Sequence, residues 1–479
     1  SAGCAIDAGS GQARCRRQGL GIFKDALYME RMTNSTLSPE SILSTLIDTC
    51  RKAGASDADA SYSRADGVSI EVLNGKLEGI ERSESQGVSL RCFFGQQNAS
   101  VSGSDTSADG LKTLAERCVA MAKVVPEDPY CGLADAADLA TDMPDLDLTG
   151  DGEIAADRLE REALDAEAAA LAVDGVKQVS GCGNGWSTSE TWVAASNGFS
   201  AYKARGSTGL GLAAVAEKDG AMERDYESRS VRRLEDRPSP EEIGRIAGER
   251  AVARLAPRKI KTQTGAVIYD RRIAGSLIGA FLSAISGPSV ARGVSFLKDQ
   301  LNEQVFAEGV NLIDDPFRAR GMGSRVHDGE GRAVAKTHLI ENGVLTRWLL
   351  NGASAKQLGM TANGHATGGF GSNPGVGVSN AYLEAGEKSP ADLMAHVGEG
   401  LLVSDMFGPS INPNTGDYSV GVAGFWFANG EIQHPVSEVT IAGDLPGMFK
   451  RLVPASDLEF RGARDAPSIL IEDMSIAGE

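Results

Sequence analysis

An α+β fold is the expectation for this chain, with an N-terminal helix-and-hairpin domain followed by a β-rich C-terminal domain. Three observations lead there. Capped amphipathic helices alternate with antiparallel hairpin patterns rather than with the single strands of βαβ units. Asn-Gly recurs between apolar-alternating runs, at Asn74-Gly75, Asn197-Gly198, Asn342-Gly343 and Asn429-Gly430. That dipeptide suits the type I′ hairpin turn, whose two central residues both take positive φ. The length of 479 residues also exceeds what one ordinary core organises, which implies two domains or three.

Residues 1–31 are rich in Gly, Arg and Ala and lack the continuous apolar core of a secretory signal. They are expected to be a non-native or disordered extension, with Met32 as the original start. Residues 32–260 form the expected N-terminal α+β domain. Ser38 caps its first helix, Pro39 suits the first helical position and Glu40 complements the helix dipole. Ile42, Leu43, Leu46, Ile47 and Cys50 make that helix's buried stripe, and Gly54 stops it. A hairpin turns at Asn74-Gly75, and a helix from about Gly110 to Val125 ends before Pro126. The acidic stretch 131–152 reads as a connector. An Ala- and Glu-rich helix, Glu153 to Val173, comes next, then the hairpin at Asn197-Gly198. Ser239-Pro240-Glu241-Glu242 reads as a capping box opening a helix that ends near Leu255.

The run 257–264 marks the expected boundary, and 261–479 the β-rich domain. Its elements are a strand AVIYD, a helix Arg271–Ser286, hairpins at Asn342-Gly343 and Asn429-Gly430, and a Gly-rich loop from Gly364 to Gly377. In the last hairpin Tyr418, Val420, Val422 and Trp426 share one face at period two, and Ser419, Gly421 and Ala423 the other.

A formal net charge of -18 repels nucleic-acid phosphates. The basic run Arg229, Arg232, Arg233 is flanked by Glu227, Glu235 and Asp236, so a solvated mixed-charge face is expected and no direct nucleic-acid contact. Seven cysteines without a C-x-x-C pair indicate neither a disulfide framework nor a zinc knuckle and fit a reducing cytoplasm. The longest apolar helix candidate, Ile273 to Ile285, is shorter than the roughly 20 residues a membrane span needs, so no membrane association is expected.

Catalytic patterns are scarce. No G-x-S-x-G elbow is present; Ser289 and Ser379 follow short Gly-containing runs without a paired histidine, and Ser379 reads as a loop hydroxyl. The histidines, His327, His338, His365, His396 and His434, form no helical ligand pair. The best residual pair is His434 with Glu438 on one strand face, fewer groups than a metal needs. The Gly-rich loop departs from a Walker spacing and reads as a flexible loop over a cleft or interface. Asn412, Asn414, Thr415 and Asp417 make a polar loop of the kind that closes on its own backbone, and Val436–Ile441 offers a strand edge for an extended peptide.

From Gly408 to Leu445 the chain resembles the C-terminal signature of the TldD/TldE (PmbA) family. Within the family it is similar to the TldE/PmbA branch, which reads TGD-strand-ENGEI-PVSEVTIAG-(N/D)-L; SNAYLEAG also resembles a family segment. The likeness spans almost everything after Pro39. It implies a subunit of a TldD/TldE-type metalloprotease complex acting on unfolded proteins and peptides, including peptide maturation. In that family the metal belongs to TldD, on an H-E-x-x-x-H helix with a further cysteine ligand near the end. Here the comparable helix reads RRIAGSLIGAFLSAISG, with Gly279, Ala280 and Ala284 about where those ligands would stand, and no cysteine follows Cys182. The resemblance therefore implies no catalytic residue, metal ligand or cofactor in this chain. It implies zinc or a similar metal in a TldD-like partner, with a homodimer when the chain is alone. Asn412, Asn414, Thr415, Asp417 and Glu438 are the candidate substrate or partner contacts. The family label of DNA gyrase modulator supplies an alternative, a regulatory protein contact, and a self-contained hydrolase is a third.

Overall fold

The computed structural model describes residues 37–479, so the extension expected at 1–31 lies outside the described residues. The N-terminal region repeats one order: helix, three antiparallel strands, helix. Its first half is α1 (Pro39–Lys52), β1 (Asp57–Leu73), β2 (Lys76–Phe94), β3 (Gln97–Gly103) and α2 (Ala108–Ala122). Its second is α3 (Ala156–Leu171), β4 (Val176–Ala195), β5 (Ser200–Lys218), β6 (Ala221–Val231) and α4 (Pro240–Ala253). The halves join where β1 pairs antiparallel with β4, giving the strand order β3-β2-β1-β4-β5-β6.

Side chains alternate across a strand, so one face of β1 serves both helix pairs. Ala58, Ala60 and Tyr62 pack beneath α1 and α2, while Val68, Ile70 and Val72 pack beneath α3 and α4. The opposite face is small and polar: Ser61, Ser63, Ser187, Ser189 and Ser207 with Lys203 and Arg205. Ser38 and Ser239 cap α1 and α4 by accepting from the N–H three residues on, each at 3.2 Å. The reciprocal half of the expected box at Ser239 is not formed. Helix α4 lies close on α3 because it is glycine there: a Cβ at Gly244 would sit 2.0 Å from the Ala166 carbonyl oxygen.

Three of the four Asn-Gly pairs adopt the expected turn, with φ of 55° and 71° at Asn74-Gly75, 48° and 81° at Asn342-Gly343, and 55° and 76° at Asn429-Gly430. Asn197-Gly198 differs. Its connection is two residues longer, only Gly198 is left-handed, and Asn197 Oδ1 instead accepts from Phe199 N at 3.1 Å.

The C-terminal region begins with β7 (Gln263–Tyr269), α5 (Arg271–Ala284) and α6 (Gly287–Ala291). Small pieces follow: β8 (Leu312–Asp314), β9 (Thr337–Glu341), β10 (Val344–Leu345), α7 (Gly352–Leu358), β11 (Ala366–Thr367), β12 (Gly375–Val376), β13 (Ala381–Leu383) and α8 (Pro390–Val397). It closes with β14 (Glu399–Ile411), β15 (Asp417–Ala428), β16 (Glu431–Asp444), α9 (Leu445–Arg451), β17 (Val453–Pro454), β18 (Arg464–Asp465) and β19 (Ile469–Ala477). Strand β16 pairs with β15 on one side and β19 on the other, so β16, β15, β14, β7 and β19 form a closed ring. Tyr418, Val420 and Val422 point into its core, with Trp426 partly buried against the same core. Leu277, Ile278 and Phe281 of α5 complete that core.

Three expectations change. The edge Val436–Ile441 is taken on both sides, by β15 and by Arg258 and β19. The Gly-rich loop is a fixed tie rather than a flexible cover. Gly371 N donates to Asp59 Oδ1 at 2.7 Å, Phe370 stacks on Phe199 at 5.4 Å, and a Cβ at Gly371 would meet the Ser89 backbone at 2.4 Å. His434 and Glu438 do not share a face: a bulge in β16 lies between them, where Ala423 of β15 faces both Ser437 and Glu438 of β16, and Glu438 takes φ +55°.

Candidate functional site

Asp270 caps α5 by accepting from Arg272 N at 2.8 Å, and the helix aims its apolar stripe into the ring. Its glycine face meets the β18 segment. A Cβ at Gly275 would lie 3.0 Å from the Arg464 carbonyl oxygen, and one at Gly279 3.5 Å from Arg464 Nη1. Ala280 packs against the core and Ala284 is buried in it. The positions compared with a metal-binding helix therefore carry no side-chain donor atom; Gly279 faces a guanidinium and the two alanines face the core. Among the described residues, no group of three or more His, Cys, Asp or Glu side chains is placed to hold a metal ion.

A nucleophile's usual companions do meet in space. His365 Nε2 lies 3.4 Å from Asp314 Oδ2, and Asp314 accepts from Ser379 N at 2.8 Å. The short β11–β12 hairpin, which returns Gly377 to the His365 carbonyl, brings them together across 14 residues of sequence. Nothing local in the sequence signalled it. The order of contacts is wrong for catalysis, which needs the base on the hydroxyl. The histidine faces the carboxylate, its Nδ1 faces Asn363 Oδ1 at 2.9 Å, and Ser379 Oγ accepts from Arg325 Nε at 2.7 Å. Ser379 is 2% exposed, so this is a structural network.

Beside it, burial lowers the basicity of Lys203 and Arg205 of the polar sheet face and of Arg325; Arg205 and Arg325 add to the effect at Lys203 and Arg325 adds to it at Arg205, while Asp314 and Asp328 oppose it at Arg325. Burial, aided by these cations, pulls His327 down to about 4. Asp328 is pushed up to about 6 by burial and then by Glu330, although it accepts backbone N–H groups from Glu330, Arg332 and Ala366.

The polar loop closes on itself. Asn412 Oδ1 accepts from Asn414 N at 3.0 Å, Thr415 Oγ1 donates to Asp417 Oδ2 at 2.6 Å, and Asn412 N donates to the Asp417 carbonyl at 2.9 Å. All four side chains stay exposed. Phe407 and Ile411 beside them are 52% and 38% exposed. Glu438 sits elsewhere, at the bulge, paired with Lys259.

The run read as a solvated face is one only in part: Glu235 and Asp236 stay exposed, whereas Glu227 and Arg232 lie in a buried seam. Asp225, Glu227 and Arg229 share a face of β6, and each pairs with the C-terminal region: Asp225 with Arg272 at 2.8 Å, Glu227 with Arg461, Arg229 with Glu459. Asp225 and Glu227 are each 4% exposed. Their partners lie 47 and more residues away, so local sequence showed only an alternation of charge.

Sequence profiles of the PmbA/TldA metallopeptidase domain 1, central domain and C-terminal domain match residues 58–122, 151–255 and 262–478. The metalloprotease PmbA of Escherichia coli O157:H7 is 33% identical over 432 residues, covering 89% of this chain and 94% of that protein. A PmbA homolog of Haemophilus influenzae is 34% identical over 441 residues, covering 91% and 95%. Among solved structures, a proposed modulator of DNA gyrase from Bacteroides thetaiotaomicron superposes with a TM-score of 0.85 at 24% identity, covering 92% and 99%. TldE from Thermococcus kodakarensis does so with 0.81 at 20% identity, covering 91% and 99%. At those identities the superpositions speak for the fold alone.

Proposed function

This chain belongs to the PmbA/TldA metallopeptidase family, and from that membership we propose that it is the TldE-like subunit of a TldD/TldE-type peptidase complex, without a metal site of its own. In this reading the N-terminal domain is 32–260 and the C-terminal domain 261–479. The complex works in the cytoplasm on unfolded proteins and peptides, including peptides undergoing maturation. The observation that carries the reading is α5: Gly279, Ala280 and Ala284 stand where a metallopeptidase helix would offer imidazole and carboxylate groups, Gly279 against Arg464 and the two alanines against the core. Zinc chemistry needs three or four converging ligands and a carboxylate for the water proton, so the metal falls to the partner. The β14–β15 tip, with Phe407, Ile411, Asn412, Asn414, Thr415 and Asp417, is the partner or substrate contact, and Glu438 a second polar contact. Stable pairing takes about 1,000 Å² or more of buried surface, and the same surface makes a homodimer when the chain is alone. No described helix is long and apolar enough to cross a membrane.

The test mixes the chain with a TldD-like protein carrying H-E-x-x-x-H and follows cleavage of an unstructured peptide. Activity should require both proteins and vanish with a chelator. Robust cleavage by this chain alone, lost in Ser379→Ala, would replace the reading with a self-contained hydrolase. A regulatory contact with DNA gyrase is the alternative, and a saturable effect of the chain alone on supercoiling would favour it.

A further inference from the structure

A cleft of about 560 Å³ opens at the seam between the N-terminal sheet and the C-terminal region. Arg229, Arg232, Arg237, Arg318, Arg320 and Arg461 line it, against only two carboxylates, Asp236 and Glu459, in a chain whose net charge is -18. Four of the six arginines are saturated. Arg229 pairs with Glu459, Arg461 with Glu227, Arg237 with Glu162, and Arg320 with Asp147, Glu235 and Asp236.

The other two are not. Arg232 is 6% exposed and, among the described residues, hydrogen-bonds backbone carbonyls alone, Gly206 O at 2.8 Å and Met322 O at 3.0 Å, which leaves its Nε without a partner and its charge without a paired carboxylate there. Burial and then a second cation, Arg205, lower its basicity. Arg318 donates no hydrogen bond from its side chain among the described residues; its nearest carboxylate, Asp465, is 3.6 Å away, and both facing atoms are unpartnered. Its guanidinium carbon lies over Phe460, 3.8 Å from the ring centre, and Phe460 is itself 49% exposed and braced edge-on by Tyr382. The ring contact holds the fork in place at the cleft wall. The buried charge of Arg232, with no carboxylate paired to it among the described residues, is costly, and planar guanidinium forks match planar or tetrahedral oxygens.

We propose that this cleft is an oxyanion-binding site, in which Arg318 receives a carboxylate or phosphoryl group that enters past Phe460 and the buried charge of Arg232 in the same wall adds its attraction. The site does not depend on the peptidase-subunit reading. A smaller cavity of about 370 Å³ continues it, sharing Arg229, Glu459 and Arg461, and gives room for chain on either side of the anion.

The test is fluorescence anisotropy of labelled, C-terminally amidated tetraglutamate and tetraglutamine peptides on the full chain, with inorganic phosphate as competitor at constant ionic strength. Tetraglutamate should bind saturably and tetraglutamine should not. Arg318→Gln should weaken binding roughly tenfold or more, the loss of hydrogen bonds to a charged group. Lys112→Gln, which removes one exposed cation far from the cleft, should leave it unchanged. Direct binding of the peptide points to a peptide carboxylate as the source. Binding of phosphate alone, measured calorimetrically and lost in Arg318→Gln, points to a phosphoryl source, and either result supports the site. Failure of both probes, or equal affinity in Arg318→Gln and wild type, overturns it, as does an equal loss in Lys112→Gln. Arg232→Gln is read only if its melting temperature shows a folded protein; otherwise Arg318→Gln decides.

Discussion

Two regions of this molecule invite comparison, the glycine face of α5 and the ion-paired seam along β6. On α5 the apolar stripe fills the ring, the glycines admit the Arg464 segment and the helix carries no imidazole, thiol or carboxylate. The seam does the reverse. It buries Asp225, Glu227 and Arg232, satisfies most of its charges across the domain boundary and leaves two arginines under-compensated. Imidazole, thiol and carboxylate groups are absent from α5, and buried charge is concentrated where two structural units meet. The joint is therefore the place to look for specificity.

The contrast can be broken most forcefully at the seam. Asp225→Ala would remove the buried carboxylate that Arg272 and Arg254 share, leaving Arg272 only Asp270 at 3.7 Å and Arg254 only Asp405 at 3.1 Å and Glu223 at 3.9 Å among the described residues, a loss expected to cost about 3 kcal/mol in denaturant unfolding. A loss below 1 kcal/mol would mean that the seam is hydrated and the contrast overstated.

A pH scan probes the adjoining buried network. His327, lowered to about 4 in the fold from 6.5, makes stability rise with pH between those values, because the unfolded chain holds more protons there. Asp328, raised from 3.8 to about 6, makes stability fall with pH across its own window, because there the folded chain holds more. The two oppose each other between about pH 4 and 6. Removing one side with Asp328→Asn should give a melting temperature that climbs more steeply over that range than in wild type, by up to an equivalent of roughly 3 kcal/mol. An unchanged slope would refute it.

On the helix side, Gly275→Val should cost about 1–3 kcal/mol by forcing side-chain volume against the Arg464 carbonyl, read from the unfolding midpoint. Smallest is Asp417→Ala. Its carboxylate is exposed and tied to Thr415, so stability should fall by less than about 1 kcal/mol. Cleavage by the mixed complex should fall more than that change in folding explains; equal effects would leave the loop a turn and nothing else.

What could be read in advance follows the range of the interactions. Ser38 and Ser239 announced their helices because capping acts within three residues, and Tyr418, Val420 and Val422 announced their face because a strand alternates. Asn197-Gly198 misled because loop length, set by where β4 and β5 part, overrode the dipeptide. Glu438 gave no sign of its bulge, which is defined only against β15. The seam was hidden for the same reason: Glu227 and Arg232 look like a solvated face until Arg461 and Gly206 arrive from distant parts of the chain.

The closed ring has a consequence for how the molecule comes into being. The two halves of the N-terminal sheet are contiguous in the chain and can assemble as the polypeptide leaves the ribosome. β7, by contrast, must wait for neighbours more than 130 residues downstream, and the circle is sealed only when Thr440, Ile441 and Ala442 meet Ala477, Ile476 and Ser475. Until then β7 and β16 present open edges and apolar faces, so the interval between synthesis of β7 and of β19 is when nascent chains are most exposed to aggregation. Premature termination within β19 should leave the N-terminal sheet folded and the ring unmade.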